Sequence, residues 1–589
     1  MKDHFQERVQ KNKAGIRYRV NHQVRIFCRT RSGAKRVLDA QSMDLSTTGV
    51  LVRLSNEAEM RTLQAAEELV LKFRVEAGTM PEGLEMRVKV SAKVVRSFQD
   101  SEGAFCCGLV FDEDLSRYAS DHKNRNALAI SSLFLFFIVA FIILMRAESI
   151  IYFKFNKFLY LYSIITAIFL LSRYLFGAFY RPEPVNINFT PGVTIIIPCF
   201  NEEEWIQRTI VSCVNQDYPI GQLEVIVVDD CSNDRSVEKI EEIIERLHSE
   251  GTRYKTADRV KYLVQPENLG KRHALARGAL EAKHELVIFV DSDSFLDPYA
   301  IRNLVMPFQD PKMGGVSGRT DVANTYTNGL TKMQSVRYYI AFRIMKAAEA
   351  VFDAVTCLSG PLSCYRKDIV LEHMDEWLNQ KFLGRRATFG DDRSMTNFVL
   401  RKHRTGYQDT AICSTIVPNR YSVFLKQQMR WKRSWLRESI VAGGFMWKKE
   451  PFVSVLFYIG LLVPVAAPIV VFYNMLYVPL AHRVFPTTFL VGMLMMALLM
   501  SIVQLFLKKS STWVFGMLFC IFYEAVLLWQ MPVAWFTFWK STWGTRLTPE
   551  DIAHQQRKRR RGIWRGKRTT VPQQKERVED DRQKQTTSV

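Results

Sequence analysis

The chain has 589 residues, 48% of them hydrophobic and 12% aromatic, which is too apolar for a disordered protein and long enough for two or three domains. Its 80 lysines and arginines against 59 acids leave a formal charge of +21, a balance that suits nucleic acid, an anionic membrane surface or small anionic substrates and does not choose among them. The ten cysteines form no CxxC pair and no disulfide-like spacing, the pattern of reduced thiols in a cytosolic setting.

The N-terminal MKDHFQERVQKNK is polar and lacks the apolar core of a signal peptide, so the first domain is expected to stay in the cytosol. From about residue 14 to 118, apolar and polar residues alternate in VRIFCRT, GVLVRL, LVLKFRV, MRVKVSAKVV and CCGLVF. Turn signals such as RSG and DSEG separate these runs, which predicts a small β-barrel domain. Membrane is expected next: Ala127 to Met145 is uncharged and long enough to span, and Phe158 to Tyr180 is interrupted only by Arg173. Two crossings return the chain to the cytosol.

From about 190 to 420, the strand-like runs VTIIIP, EVIVVDD, VKYLV and LVIFVDSD alternate with the helical stretches WIQRTIVSCV and VEKIEEIIERL. Near-continuous apolar strands separated by helices predict a doubly wound, parallel-rich α/β sheet, whose ligands sit at the carboxyl ends of the strands. After 450, three more apolar runs follow: Phe452 to Val478, Phe485 to Leu507 and Val514 to Met531, with prolines at 464, 468 and 532. The tail, with RKRRRGIWRGKR, belongs in the cytoplasm by the positive-inside rule, which requires an even number of crossings. Five clear runs leave one that is re-entrant, interfacial or hiding a second crossing. The expected organisation is a regulatory barrel (1–120), two membrane helices (121–182), a catalytic domain (183–425), interfacial helices (426–450), further membrane helices (451–540) and a basic cytoplasmic tail (541–589).

Acids mark the predicted strand ends. Asp229 and Asp230 close VVDD, and Asp291 and Asp293 follow IFV. A carboxylate there can hold a uridine or ribose, and a DxD pair can share Mg²⁺ or Mn²⁺ with a diphosphate, because these cations prefer hard oxygen ligands. Either pair alone is as well read as a turn residue or helix cap. Together, in register on one sheet edge, they favour a nucleotide-sugar site. A third acidic element, Gly390-Asp391-Asp392-Arg393, offers the base that inverting glycosyl transfer requires, with Asp392 as the candidate. In isolation it reads equally well as the cap of the helix that follows.

The ordered set PCFNEEE, VVDDCSND, NLGKRHAL, DSDS, CLSGPLSCYRKD, FLGRRATFGDDRSMTN and KQQMRWKRSWLRES resembles the processive family 2 glycosyltransferases, most closely hyaluronan synthases, with chitin and chitin-oligosaccharide synthases as near relatives. The resemblance covers about 190 to 450 and the flanking membrane segments. It implies a GT-A type domain in which Asn201, Glu202 and Asp230 contact the uridine and Lys271 and Arg272 face the diphosphate. Asp291 and Asp293 would hold donor and metal, Ser359, Gly360 and Pro361 would receive the acceptor, and Asp392 would be the base. Gln427, Arg430 and Trp431 match the QxxRW signature: Arg430 would neutralise the leaving diphosphate, and Trp431 would offer a flat face to the acceptor sugar. Without the other motifs, that basic aromatic stretch reads as an interfacial anchor helix. WGTR at 543–546 is also similar to these synthases.

The barrel resembles a PilZ domain, whose hallmark is RxxxR upstream of D/NxSxxG. Asp44, Ser46 and Gly49 match the second half, and Lys13-xxx-Arg17 stands at the first, with Lys where Arg is usual. Arginines there grip cyclic di-GMP by bidentate bonds and stacking that lysine copies only in part. Arg25-xxx-Arg29 has the same spacing inside an expected strand.

Two readings follow. One is a multi-pass enzyme of the cell membrane, with its N-terminal, catalytic and C-terminal regions cytoplasmic. It would polymerise UDP-N-acetylglucosamine, with or without UDP-glucuronate, and pass the growing polysaccharide through the bilayer under cyclic di-GMP control. The other is a catalytically silent membrane receptor for that nucleotide. The intact acids and QxxRW favour the enzyme. Nucleic acid is not expected as a partner, since the basic residues cluster where anionic lipid accounts for them. Chitin-like products, or exopolysaccharides of the cellulose and alginate kind, stay open beside a hyaluronan-like one.

Overall fold

A computed structural model of the protein describes residues 18–19, 23–30, 35–46, 48–75, 86–99, 103–112, 115, 157–250, 255–483 and 512–540, with scattered positions between 490 and 510. Lys13, Arg17, the expected span Ala127 to Met145, most of Phe485 to Leu507, and the tail with WGTR lie outside the described residues.

Strands β1 (Tyr18–Arg19), β2 (Gln23–Thr30), β3 (Lys35–Leu45), β4 (Gly49–Leu54), β5 (Ala66–Val75), β6 (Met86–Gln99) and β7 (Phe105–Phe111) make one antiparallel sheet. Its order runs β3-β2-β5-β6-β7-β4, and β4 pairs again with β3, so six strands close into a barrel and β1 joins alongside β3. The sequence alternation explains the closure. Val24, Ile26 and Cys28 of β2 and Leu69, Leu71 and Phe73 of β5 turn inward, while Arg25, Arg29 and Lys72 face out. Helix Glu57–Gln64, capped by Asn56 accepting the Glu59 N–H at 2.9 Å, adds the fully buried Leu63 to this core.

The second sheet contains β8 (Val193–Cys199), β9 (Leu223–Asp229), β10 (Val260–Val264), β11 (Leu286–Phe289), β12 (Ser294–Leu296), β13 (Met313–Val322), β14 (Ser363–Arg366) and β17 (Arg404–Thr415). A separate hairpin pairs β15 (Lys381–Phe382) with β16 (Arg385–Arg386). The order is β10-β9-β8-β11-β14-β13-β17-β12. Every residue of β8 and β9 is buried, and successive residues serve opposite faces: Ile195, Ile197, Val225 and Val227 join one core, Ile196, Ile226 and Val228 the other.

The sheet is parallel-rich but not parallel throughout. Strands β10, β9, β8 and β11 are mutually parallel, as are β13 and β17, but β14 runs antiparallel between β11 and β13. Ser363 pairs with Phe289, the last residue of β11, so β14 starts where its neighbour ends and has to run back. The turn at 357–362 is thereby placed at the carboxyl edge of β11. At that edge β8 is flanked on both sides by later strands, the reversal point where ligands of open sheets bind.

Among the described residues one helix, Pro451–His482 with a mean hydropathy of 2.5, is long and apolar enough to cross a membrane, and it continues through Pro464 and Pro468. Ile164–Phe179 and Val514–Leu527 are shorter apolar stretches. Arg173, the interruption in the first of these, is buried and pairs with Glu349 at 3.4 Å.

Candidate active site

The turns after β8 and β9 lock together. Asn201, with φ of +54°, accepts the Asn233 N–H at 2.8 Å on its side-chain oxygen and donates its own N–H to Ser232 Oγ at 3.0 Å. The Glu202 N–H donates to Ser236 Oγ at 2.8 Å. The two aspartates of VVDD part ways. Asp229, fully buried, accepts from Ser232 N and Oγ and shapes the turn. Asp230 accepts from Gln265 Nε2, Leu269 N and Gly270 N at 2.8 to 2.9 Å, and so fixes the loop leading into helix Lys271–Glu281.

Lys271, the first residue of that helix, reaches across to Asp291 at the end of β11. Burial alone would depress this ammonium, but Asp291, with Asp391 and Asp392 beyond it, holds it above the usual lysine range. A Cβ placed on Gly360 would stand 3.2 Å from both Asp291 Oδ2 and Lys271 Nζ, so the Ser359-Gly360-Pro361 turn lies directly on the pair, and a side chain there would press on it. Asp293 accepts from Thr415 Oγ1 at 3.3 Å. Arg272 is placed differently from its neighbour: buried, it pairs with Asp391 and donates to Trp377 O and Gln380 Oε1, holding the first turn of helix Asp391–Lys402 instead of facing Asp291. Asp392 is half-buried and accepts the Arg393 N–H at 2.8 Å, with Cys357 Sγ 3.5 Å from its second oxygen.

Gln427, Arg430 and Trp431 stand on helix Tyr421–Met446, which is tied to the Asp392 helix. Gly390 caps the latter at φ +84°, and a Cβ there would stand 2.9 Å from Ser434. Arg437, fully buried, donates to Phe389 O and to Glu438 at 2.9 Å. Glu438 in turn accepts from Gln380 and Asn397. On its other side Trp431 meets Tyr338 at a centroid distance of 6.4 Å, and Arg337 lies 5.4 Å from the Trp431 ring while donating to Gln428. Burial pushes the Tyr338 hydroxyl up, and the charges of Asp293 and Asp291 add to it. Tyr338 thus packs against QxxRW within electrostatic reach of the DxD acids, and no motif announced it.

Residues 194–373 match glycosyl transferase family 2, and residues 13–124 match the PilZ domain. The chain carries a family 2 glycosyltransferase domain and a PilZ domain. An N-acetylglucosaminyltransferase of Rhizobium meliloti (strain 1021) is 34% identical over 287 residues, 48% of this chain and 65% of the relative. A hyaluronan synthase of Streptococcus pyogenes serotype M3 is 33% identical over 287 residues, 48% of this chain and 66% of the relative. The chain thus spans just under two thirds of the length of these relatives. A solved mannosyltransferase from Pyrobaculum calidifontis, in complex with GDP-Man and Mn²⁺, is 19% identical with a TM-score of 0.43, over 62% of this chain and 97% of that one.

In the PilZ domain, Ser46 closes the turn between β3 and β4: its N–H donates to Gly49 O at 2.8 Å and its Oγ accepts the Gly49 N–H at 3.1 Å. A Cβ on Gly49 would lie 2.5 Å from Leu109 O, so only glycine fits. Strand β1 pairs with the end of β3, Arg19 opposite Asp44, which lays the backbone just after Arg17 beside this turn. Arg25 and Arg29 lie within β2 and pair with Asp39 and Glu68. The PilZ domain also touches the transferase domain. Arg74 of β5 sits 3.7 Å from the Tyr326 ring centroid and donates to the Tyr326 hydroxyl. Tyr326 lies in loop 323–328, where Asn324 exchanges bonds of 2.7 and 3.0 Å with Val417 and Asn328 donates to Asn419 O at 2.8 Å. Residues 417–420 lead straight into the QxxRW helix.

Among the described residues no group of three or more His, Cys, Asp or Glu could cage a metal ion. Asp291 and Asp293 still suit Mg²⁺ or Mn²⁺, because such ions take one or two carboxylates and complete their shell with water and substrate phosphate.

Proposed function

We propose that the chain is a membrane-bound, processive, inverting glycosyltransferase that builds a β-linked, N-acetylglucosamine-containing polysaccharide from UDP-sugars, passes it across the bilayer, and responds to cyclic di-GMP. The observation that carries this reading is the convergence at one sheet edge of the Lys271–Asp291 pair, the Gly360 turn and Asp392, with the QxxRW helix fastened behind them. In this reading Asn201, Glu202 and Asp230 frame the uridine, and Ser359, Gly360, Pro361 and Trp431 receive the acceptor. The acceptor hydroxyl oxygen attacks the anomeric carbon as the bond to UDP breaks, and its proton passes to the Asp392 carboxylate. Lys271 and Arg430 neutralise the departing diphosphate, and Gln427 stands with them on the donor. A Mg²⁺ or Mn²⁺ ion on Asp291 and Asp293 would supply further charge neutralisation on the diphosphate. Arg272 serves through Asp391, by holding the turn from which Asp392 projects.

The route outward lies along the QxxRW helix. Among the described residues, buried Gln427 Oε1, Gln428 Nε2, Gln530 Oε1 and Trp535 Nε1 have no protein partner, and sugar hydroxyls would satisfy such groups. Multiple crossings are part of this reading, built from Lys157–Phe179, Pro451–His482 and the apolar stretches beyond. Cyclic di-GMP is expected at Asp44, Ser46 and Gly49 with Lys13 and Arg17 from the preceding segment. Its arrival would be relayed through Arg74 and Tyr326 to residues 417–420.

The test is polymer synthesis by the purified protein with Mg²⁺ or Mn²⁺ and labelled UDP-N-acetylglucosamine, with and without UDP-glucuronate, each with and without cyclic di-GMP. Hyaluronidase-sensitive polymer only with both sugars gives a hyaluronan-like product, and chitinase-sensitive polymer from one sugar a chitin-like product. No UDP release from any UDP-sugar would sink the transferase reading in favour of a silent receptor.

A further inference from the structure

Lys346 belongs to none of the motifs and is buried at the centre of the transferase domain. It ends the π-helical turn Ala341–Lys346, which extends the helix carrying Arg337 and Tyr338. Its ammonium lies 4.3 Å from the Phe342 ring centroid and donates to Ser317 Oγ at 2.9 Å and Ser359 Oγ at 2.5 Å. Ser317 Oγ also accepts the Ser359 N–H at 3.3 Å, so the three residues form a closed triangle. Among the described residues no carboxylate lies within ion-pair distance of this ammonium. A buried charge without a counter-ion is unfavourable, and two hydroxyls compensate it only in part.

The position shows what the charge does. Ser359 is followed by Gly360, whose missing side chain lets the turn rest on the Lys271–Asp291 pair. On the opposite flank the turn is tied to the Asp392 helix: the Leu358 N–H donates to Thr396 Oγ1 at 2.9 Å, which donates to Asp392 O at 2.6 Å. The turn is thus held from three directions, and Lys346 supplies a charged hold that belongs neither to the donor acids nor to the Asp392 helix. We infer that Lys346 is a positioning residue of the transferase site, keeping the acceptor turn in register between the Lys271–Asp291 pair and Asp392 through the Ser359 hydroxyl. The inference rests on the transferase reading above. A misplaced turn leaves the donor bound but its anomeric carbon and the acceptor hydroxyl out of reach, so the loss falls on turnover and not on donor affinity.

The experiment measures UDP release against UDP-sugar concentration for wild type, Lys346→Met, Lys346→Arg, Ser359→Ala and the Lys346→Met/Ser359→Ala double variant, with UDP binding and melting temperature recorded for each. Lys346→Met and Ser359→Ala should each lower kcat by about 10- to 100-fold with donor KM within about twofold. The double variant should fall no more than about twofold below the weaker single, because both remove one linkage. Lys346→Arg, which keeps a charged donor, should recover most of the loss. Full activity in Lys346→Met, or losses that multiply in the double variant, would overturn the inference. Should Lys346→Met fail to bind UDP, Ser359→Ala decides alone: wild-type kcat there overturns the proposal, and a selective kcat loss supports it. A wild type that releases no UDP from any UDP-sugar removes the transferase reading, and this inference with it.

Discussion

In the transferase cleft, charged side chains hold one another: Lys271 on Asp291, Arg272 on Asp391, Arg437 on Glu438. In the PilZ turn, Ser46 and Gly49 are joined through a hydroxyl and the backbone, and a glycine at 49 avoids Leu109 O. The cleft is electrostatically assembled before any substrate arrives, as a transition state with developing charge requires. The PilZ turn sets a backbone shape. Damage to the cleft should therefore abolish chemistry, while damage between the domains should change only its control.

The largest expected effect is at Asp392. Asp392→Asn should lower polymer synthesis by about a thousandfold, in the range general bases contribute, with UDP binding changed by less than about threefold. Steady-state kinetics with a parallel UDP titration would check this. Equal losses in turnover and binding would mean that the carboxylate holds the fold and not the proton.

Arg437 tests the assembly behind the base. Its guanidinium is fully buried between Glu438 and Phe389 O. Arg437→Met should destabilise the transferase domain by about 3–5 kcal/mol, since it strands a buried carboxylate, and Arg437→Met/Glu438→Gln should recover part of that loss. Thermal unfolding followed with and without UDP reads both. A single variant that melts like wild type would show that Gln380 and Asn397 satisfy Glu438 unaided.

How much of this was legible depended on whether a residue acts locally. Strands β8, β9 and β11 could be read from unbroken apolar runs, and the barrel from alternation, because burial on two faces or on one leaves a direct pattern. Strand β3 escaped because KRVLDAQSMDL mixes charges among its apolar residues. The reversal of β14 escaped because it depends on where the 357–362 turn lies in space. Within motifs, adjacent residues divided their labour invisibly: Asp229 shapes a turn while Asp230 fixes the loop before Lys271, and Asp391 is consumed by Arg272 while Asp392 stays half-open. Tyr338 and Lys346 had no local signal, since the partners that tie them to the site, Trp431, Ser317 and Ser359, are 13 to 93 positions away.

Arg74 sharpens the contrast between the two domains. Arg74→Ala removes the ring contact and the bond to Tyr326 without touching either candidate ligand site, a change worth about 0.5–2 kcal/mol. Basal synthesis and cyclic di-GMP affinity should stay within about twofold of wild type, while the ratio of stimulated to basal activity shifts by about 2- to 30-fold, the equilibrium factor for that energy. An unchanged ratio would place the relay elsewhere.

The last effect concerns stability and comes from the same lysine that the cleft uses for position. Burial pushes the Lys346 ammonium down from 10.5 to about 8. Between those values the folded protein binds fewer protons at this residue than the unfolded chain, so stability gains from Lys346 as pH rises through the window and nothing below it. At pH 7, where the ammonium is charged in both states, Lys346→Met should melt at or above wild type despite its lost turnover. Its advantage should shrink between pH 8 and 10.5, by up to about 1.4 kcal/mol per unit. A variant that is both less active and less stable at pH 7 would make Lys346 a packing residue. One that is less active but more stable would mark a charge kept in the cleft for turnover at the expense of the fold.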